Sequence, residues 1–144
     1  MTGVMRILWA EDNEHDVLLF KKALRSWNIP IDLHVCADGH ECLSKLKEGL
    51  TQDELPHLVL LDVNIPKRNG FEVLKEIRKN KELKHLPVII FSGSLNKDEW
   101  TKAYGLCADC YIRKPQEFAE YNNVIDQIKK YWIETQRTPK FFRF

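Results

Sequence analysis

The chain has 144 residues, 44% of them hydrophobic and 30% charged, with a formal net charge of +1. That balance suits one globular domain with a sizeable core and leaves no room for a second. With near-neutral charge, no helix-turn-helix segment left over and no zinc-finger spacing, nucleic acid is not an expected partner. No apolar run approaches the roughly eighteen residues of a membrane span, and the first residues lack signal-peptide flanks, so the expected location is the cytoplasm with no membrane contact.

Residues 5–10 are a short apolar strand that stops at Glu11-Asp12-Asn13. Val17, Phe20, Leu24 and Trp27 then recur at helical spacing, with Asn13 as the N-cap and Asp16 three residues on. Residues 31–36 alternate and predict a second strand. Asp38-Gly39 turns it into a helix carrying Leu43 and Leu46 and ending at Gly49, with Pro56 closing the loop that follows.

Leu58-Val59-Leu60-Leu61 is unbroken and apolar, as a strand buried on both faces of a parallel sheet would be, and it ends on Asp62. Residues 71–80 place Phe71, Val73, Leu74 and Ile77 on one helical face. Pro87 opens a fourth strand, Val88-Ile89-Ile90-Phe91, followed by Ser92. Residues 98–106 predict a weak helix ended by Gly105, and residues 109–112 a fifth strand running into Arg113-Lys114-Pro115. Phe118, Tyr121, Ile125, Ile128 and Trp132 form the most periodic stripe, that of a last helix packing on the sheet.

Alternating strands and helices predict an α/β fold, doubly wound, with a five-stranded parallel sheet in the flavodoxin-like order 2-1-3-4-5. The domain is expected over residues 5–133. Residues 134–144 form a C-terminal tail with three phenylalanines, and no separate output domain is expected. Cys36, Cys42, Cys107 and Cys110 suit small, partly buried apolar positions better than redox or zinc chemistry, since one C-x-x-C supplies half a zinc site. His15, His34, His40, His57 and His85 are spread out, and none has a second ligand at metal spacing.

In such sheets the chemistry sits at the carboxyl ends of the strands. The order is expected to set strands 1, 3 and 5 together in the middle, bringing Glu11-Asp12, Asp62 and Lys114 to one pocket, with Ser92 added from strand 4. Three converging carboxylates repel unless a cation joins them, and a few hard oxygens with room for water and a phosphate favour Mg2+. An aspartate left beside that ion is a nucleophile for a phosphoryl group, with Lys114 and the Ser92 hydroxyl placed for its oxygens.

The set Glu11-Asp12, Asp62 with Pro66 and Gly70, Ser92, and Lys114-Pro115 resembles the receiver domain of two-component response regulators. The resemblance implies that Asp62 is the phosphoacceptor and that Asp12, Asp62 and the Asn64 backbone carbonyl hold magnesium, with Glu11 acting through a water. It implies that Lys114, on a cis bond to Pro115, pairs with the phosphoryl group, and that Ser92 and Tyr111 form the switch. Phosphorylation then reshapes the face of helix 4, strand 5 and helix 5. Such a protein is not an enzyme in the usual sense: it catalyses its own phosphoryl transfer and slow dephosphorylation.

Glu11-Asp12-Asn13-Glu14-His15-Asp16-Val17, Leu83-Lys84-His85-Leu86-Pro87, residues 110–115 and Tyr131-Trp132-Ile133 are similar to the stand-alone regulators serving phytochrome histidine kinases. This implies a phytochrome as partner kinase and a homodimer. A scaffold independent of phosphorylation and an intermediate in a phosphorelay are alternative roles. An aspartate-nucleophile phosphatase would want an acid where Asn64 stands, and Glu11-Asp12 would repel the phosphate of a flavin cofactor.

Overall fold

The computed structural model describes residues 4–94 and 96–137, with side chains through residue 130. The side chains of Tyr131, Trp132 and Ile133, and the three phenylalanines of the tail, lie outside what is described. Five strands, β1 (Met5–Ala10), β2 (Ile31–Cys36), β3 (Leu58–Leu61), β4 (Val88–Ser92) and β5 (Cys110–Arg113), form one parallel sheet in the order β2-β1-β3-β4-β5. The helices between and after them are α1 (Glu14–Leu24), α2 (Gly39–Gln52), α3 (Gly70–Lys79), α4 (Lys97–Gly105) and α5 (Phe118–Arg137).

The apolar runs are explained by strand alternation across a sheet covered on both faces. In β3, Leu58 and Leu60 join the core beneath α1 and α5, while Val59 and Leu61 join the core beneath α2 and α3. β4 divides likewise, Ile89 and Phe91 to one side and Val88 and Ile90 to the other. On the first side Trp9, Phe20, Phe91 and Tyr121 make tilted and edge-to-face contacts, with Trp9 and Phe20 centroids 4.6 Å apart. β2, at an edge, buries fully only Cys36, which is why it alternates.

Several local expectations are corrected. β4 lies between β3 and β5, so β5 is an edge strand and not a neighbour of β3. Gly49 does not end α2, which continues to Gln52 and is capped by Asp53 in the left-handed region (φ 54°). Glycine is needed there for space, since a Cβ would sit 2.9 Å from the Glu54 carbonyl oxygen. Gly105 is the last residue of α4, but Cys107 takes the left-handed conformation (φ 66°) that turns the chain. Phe118 is exposed, beneath the Lys22 ammonium at 5.3 Å from the ring centroid, because it stands at the start of α5 beyond the sheet. α5 also runs past residue 133, to Arg137.

The loop from β3 to α3 is fixed most tightly. Asn69 caps α3 in a reciprocal capping box with Glu72, and the Gly70 N–H donates to the Val63 carbonyl at 3.1 Å. A Cβ on Gly70 would collide with the Asp62 carbonyl oxygen and lie 3.0 Å from the Val63 Cα, both main chain and unable to yield. Gly70→Ala is therefore expected to lower stability by about 1–3 kcal/mol, seen as a lower urea midpoint at unchanged slope.

Candidate functional site

The carboxyl ends of β1, β3 and β5 deliver the polar groups predicted for them. The Glu11 N–H donates to the Cys36 carbonyl (2.9 Å), that of Asp62 to Ala10 (3.1 Å), and that of Lys114 to Ser92 (2.8 Å), so each residue leaves its strand still held by a neighbouring strand. Glu11 and Asp62 are buried, at 2% and 6% exposure, and Asp12 is exposed. Lys114 reaches in from the sheet edge. Its Nζ lies 2.6 Å from Glu11 Oε1, 2.8 Å from Asp62 Oδ2 and 2.9 Å from Asp16 Oδ2.

Asp16 is the site residue that sequence reasoning missed, having assigned it only to the start of α1. Its other oxygen accepts the Tyr121 hydroxyl at 3.1 Å, tying α1 to α5. The signal was present: Asp16 stands four residues after Asp12, so a helix begun at Glu14 returns it over the strand ends. The Asn13 cap is as expected, its Oδ1 accepting the Asp16 N–H at 3.1 Å.

Burial pushes the Glu11 carboxyl up to about 8, and Asp62 nearby adds to this, while the Lys114 contact pulls the other way without undoing it. Burial opposes the charge on Lys114, but hydrogen bonds to Asp16, Asp62 and Glu11 outweigh it and hold the ammonium above the usual lysine range. Burial, with Asp16 beside it, also holds the Tyr121 phenol above its usual range.

Carboxylate oxygens of Glu11, Asp12 and Asp62 lie within 4.8 Å of one another. This is an all-oxygen donor set, suited to a hard divalent cation. Glu11 contributes a carboxylate oxygen to this cluster. Asn64 is exposed, and its N–H donates to Asp62 Oδ1 at 3.2 Å. An open cleft of about 510 Å3 lined by Asp16, Asp62, Asn64, Ser94, Lys114 and Gln116 leads to the carboxylates.

Ser92 and Tyr111 are beside the site but engaged elsewhere. The buried Ser92 hydroxyl donates to Glu99 Oε1 at 2.8 Å, and the Tyr111 hydroxyl lies 3.0 Å from the same oxygen. Burial, together with Glu99, pushes the Tyr111 phenol up. Glu99, in the first turn of α4, is the second residue that sequence reasoning missed.

Two further corrections concern bonds and ligands. Among the described residues there is no cis peptide, so Lys114-Pro115 is trans, the isomer that an X-Pro bond prefers by about 0.5–1 kcal/mol, and Lys114 reaches the pocket from it. His34 does have neighbours with ligand atoms: donor atoms of His34, Cys36 and Glu41 lie within 4.8 Å of one another. Alternate residues of a strand share a face, and the first turn of α2 crosses it. Cys36 and Cys42 are buried as expected, Cys110 is partly buried, and Cys107 is exposed on the turn after α4.

A parallel sheet in this order, with an acidic cluster and one lysine at its carboxyl edge, is the architecture of a receiver domain. The chain belongs to the response regulator receiver domain family, whose match covers residues 7–126. It is 33% identical over 135 residues to the response regulator Rcp1 of Synechocystis sp. (strain ATCC 27184 / PCC 6803 / Kazusa), covering 92% of each chain. Among solved structures it is similar to the phosphorylated cyanobacterial phytochrome response regulator RcpA, at 32% identity and a TM-score of 0.84 over 92% of this chain and 96% of that one. It is also similar to the Mn(2+)-bound form of Rcp1, at 33% identity and a TM-score of 0.80 over 91% and 96%. Among the described residues no helix is long and apolar enough to cross a membrane.

The raised Glu11 carboxyl gives a signed pH dependence. Its value of about 8 in the folded protein lies above the ordinary 4.5, so the folded state holds a proton that the unfolded state releases between them. The cost of Glu11 is absent below about pH 4.5 and grows until about pH 8. In EDTA, Glu11→Gln should gain stability over the wild type as pH rises from 5 to 8, by on the order of 1 kcal/mol or more, and no further above that. Urea midpoints of both proteins across that range check it.

Proposed function

We propose that the protein is a phosphorylation-dependent response regulator that accepts a phosphoryl group on Asp62 from a sensor histidine kinase. The observation that carries this reading is the Asp62 carboxylate, buried at the cleft, 2.8 Å from Lys114 and clustered with Glu11 and Asp12. A carboxylate oxygen of Asp62 attacks phosphorus, the bond from phosphorus to the histidine nitrogen breaks, and the imidazole leaves with the bond's electron pair. The product is an acyl phosphate on Asp62.

The protein's contribution is positioning and charge. Lys114 already holds the Asp62 carboxylate and is placed to follow the negative charge onto a phosphoryl oxygen. The Asn64 N–H steadies the second carboxylate oxygen. Magnesium fits the Glu11, Asp12 and Asp62 oxygens, with the Asn64 carbonyl as a further ligand, and when bound would neutralise charge on the transferring group. The Mn(2+) of the Rcp1 structure supports a divalent ion here. Slow loss of the phosphoryl group to water regenerates Asp62, so the protein acts as a timed signal and not as an enzyme with turnover on an external substrate.

The kinase partner is a phytochrome in this reading, supported by the likeness to RcpA, and the exchange takes place in the cytoplasm. The phosphoryl group draws Ser92 towards it, Tyr111 follows, and the face made by α4, β5 and α5 changes. Trp100 and Tyr104 stand on that face, exposed and edge-to-face at 5.3 Å, and supply the apolar surface for a homodimer.

With acetyl phosphate and magnesium, intact-mass spectrometry should show one added phosphoryl group on the wild type and none on Asp62→Asn or in EDTA; a gain on the variant would refute Asp62 as acceptor. Light scattering of the phosphorylated protein should give the dimer mass, and Trp100→Lys should return it to the monomer.

A further inference from the structure

Glu99 occupies a position that the phosphoryl-transfer chemistry does not require. It lies in the first turn of α4, held there by the Asn96 cap, whose side chain accepts the Asp98 N–H at 2.8 Å. Its Oε1 receives two hydroxyls at once, Ser92 Oγ at 2.8 Å and Tyr111 Oη at 3.0 Å. A hydroxyl has a single proton to donate. While Ser92 gives its proton to Glu99, it has none for an oxygen of a group on Asp62.

We propose that Glu99 is a positioning residue that latches the resting state, one carboxylate oxygen holding the Ser92 and Tyr111 hydroxyls together and away from the phosphoryl site. This rests on the reading of Asp62 as phosphoacceptor and adds a resting-state restraint to it. Three physical consequences follow from the geometry. A phosphoryl group must win the Ser92 proton from a charged acceptor, the stronger kind of hydrogen bond. Once Ser92 leaves, the half-buried Glu99 oxygen keeps the Tyr111 hydroxyl as its remaining hydroxyl donor. The same carboxylate also adds negative charge on the side of the site where a dianion must settle, which opposes phosphorylation directly.

The test uses beryllium fluoride with magnesium as the phosphoryl stand-in, titrated calorimetrically on the full chain. Glu99→Ala should bind it about tenfold more tightly than the wild type, and Glu99→Gln, which keeps a neutral acceptor, should fall between them. The discriminating readout is the background: in Ser92→Ala, where Glu99 holds only Tyr111 and no serine proton is contested, adding Glu99→Ala should recover only the smaller charge effect and not the full gain. Unchanged or weaker binding by Glu99→Ala and Glu99→Gln overturns the latch, as does an equal gain with and without Ser92. Should Glu99→Ala fold poorly, Glu99→Gln alone decides. If the wild type takes up neither beryllium fluoride nor a phosphoryl group, the phosphoacceptor reading fails and the latch with it; if it takes up both and the variants match it, only the latch fails.

Discussion

The single ammonium of Lys114 is the interaction on which the rest of the site depends. Three carboxyl groups, of Glu11, Asp16 and Asp62, lie 2.6–2.9 Å from it, and two of the three are among the few buried polar residues of the described chain. Burial without a cation holds a carboxyl group in its protonated form, and Glu11 leans that way even beside Lys114. The sheet order supplies the solution: β1 and β3 are hydrogen-bonded neighbours, so their acids must converge, while β5 at the edge can send a long side chain across the end of β4. The result is one positive charge serving several negative ones, a net acidic cluster with spare capacity for further positive charge. An all-oxygen cluster of that kind suits a further hard cation.

Much of this was legible in the sequence because the signals were of long range in pattern though short in extent. Unbroken apolar runs at residues 58–61 and 88–91 suit strands covered on both faces, and their carboxyl-end residues, Asp62 and Ser92, followed at once. Strand order came from connection handedness, and with it the meeting of Glu11, Asp12 and Asp62; Lys114 was expected from a strand beside β3 and instead reaches across β4 from the edge. What was not legible were the polar partners within helices. Asp16 and Glu99 sit where acidic residues are ordinary, in first turns near a positive helix end, and that local explanation was sufficient without a site. Their roles depend on which loop faces them, which periodicity does not encode. Helix ends failed for a related reason: Gly49 is a glycine because Glu54 comes close, not because the helix stops.

The site is flanked by two hydrogen-bond networks that are built differently. On the α1 and α5 side, Asp16 divides its two oxygens between Lys114 and Tyr121, and the Tyr121 ring is fully buried against Phe91. On the other side, Glu99 gathers Ser92 and Tyr111 on one oxygen from a helix whose only fully buried residue is Ala103. The first network is anchored in the core. The second is attached to an element that buries little, and elements with few buried contacts open at lower cost than those seated in the core.

The close approach of Gly70 to the Asp62 carbonyl gives this difference a direction. Main chain packed on main chain, with α3 beyond it burying Phe71, Val73, Leu74 and Ile77, makes the residue that would bear the modification a fixed point of the molecule. An anvil does not travel with the blow. Whatever force a new charge exerts at Asp62 must be taken up by what surrounds it, and the most weakly seated neighbour is α4. Under the proposed mechanism the amplitude of the signal would be set by how lightly that helix rests on the sheet, and its fidelity by how firmly Asp62 does not move.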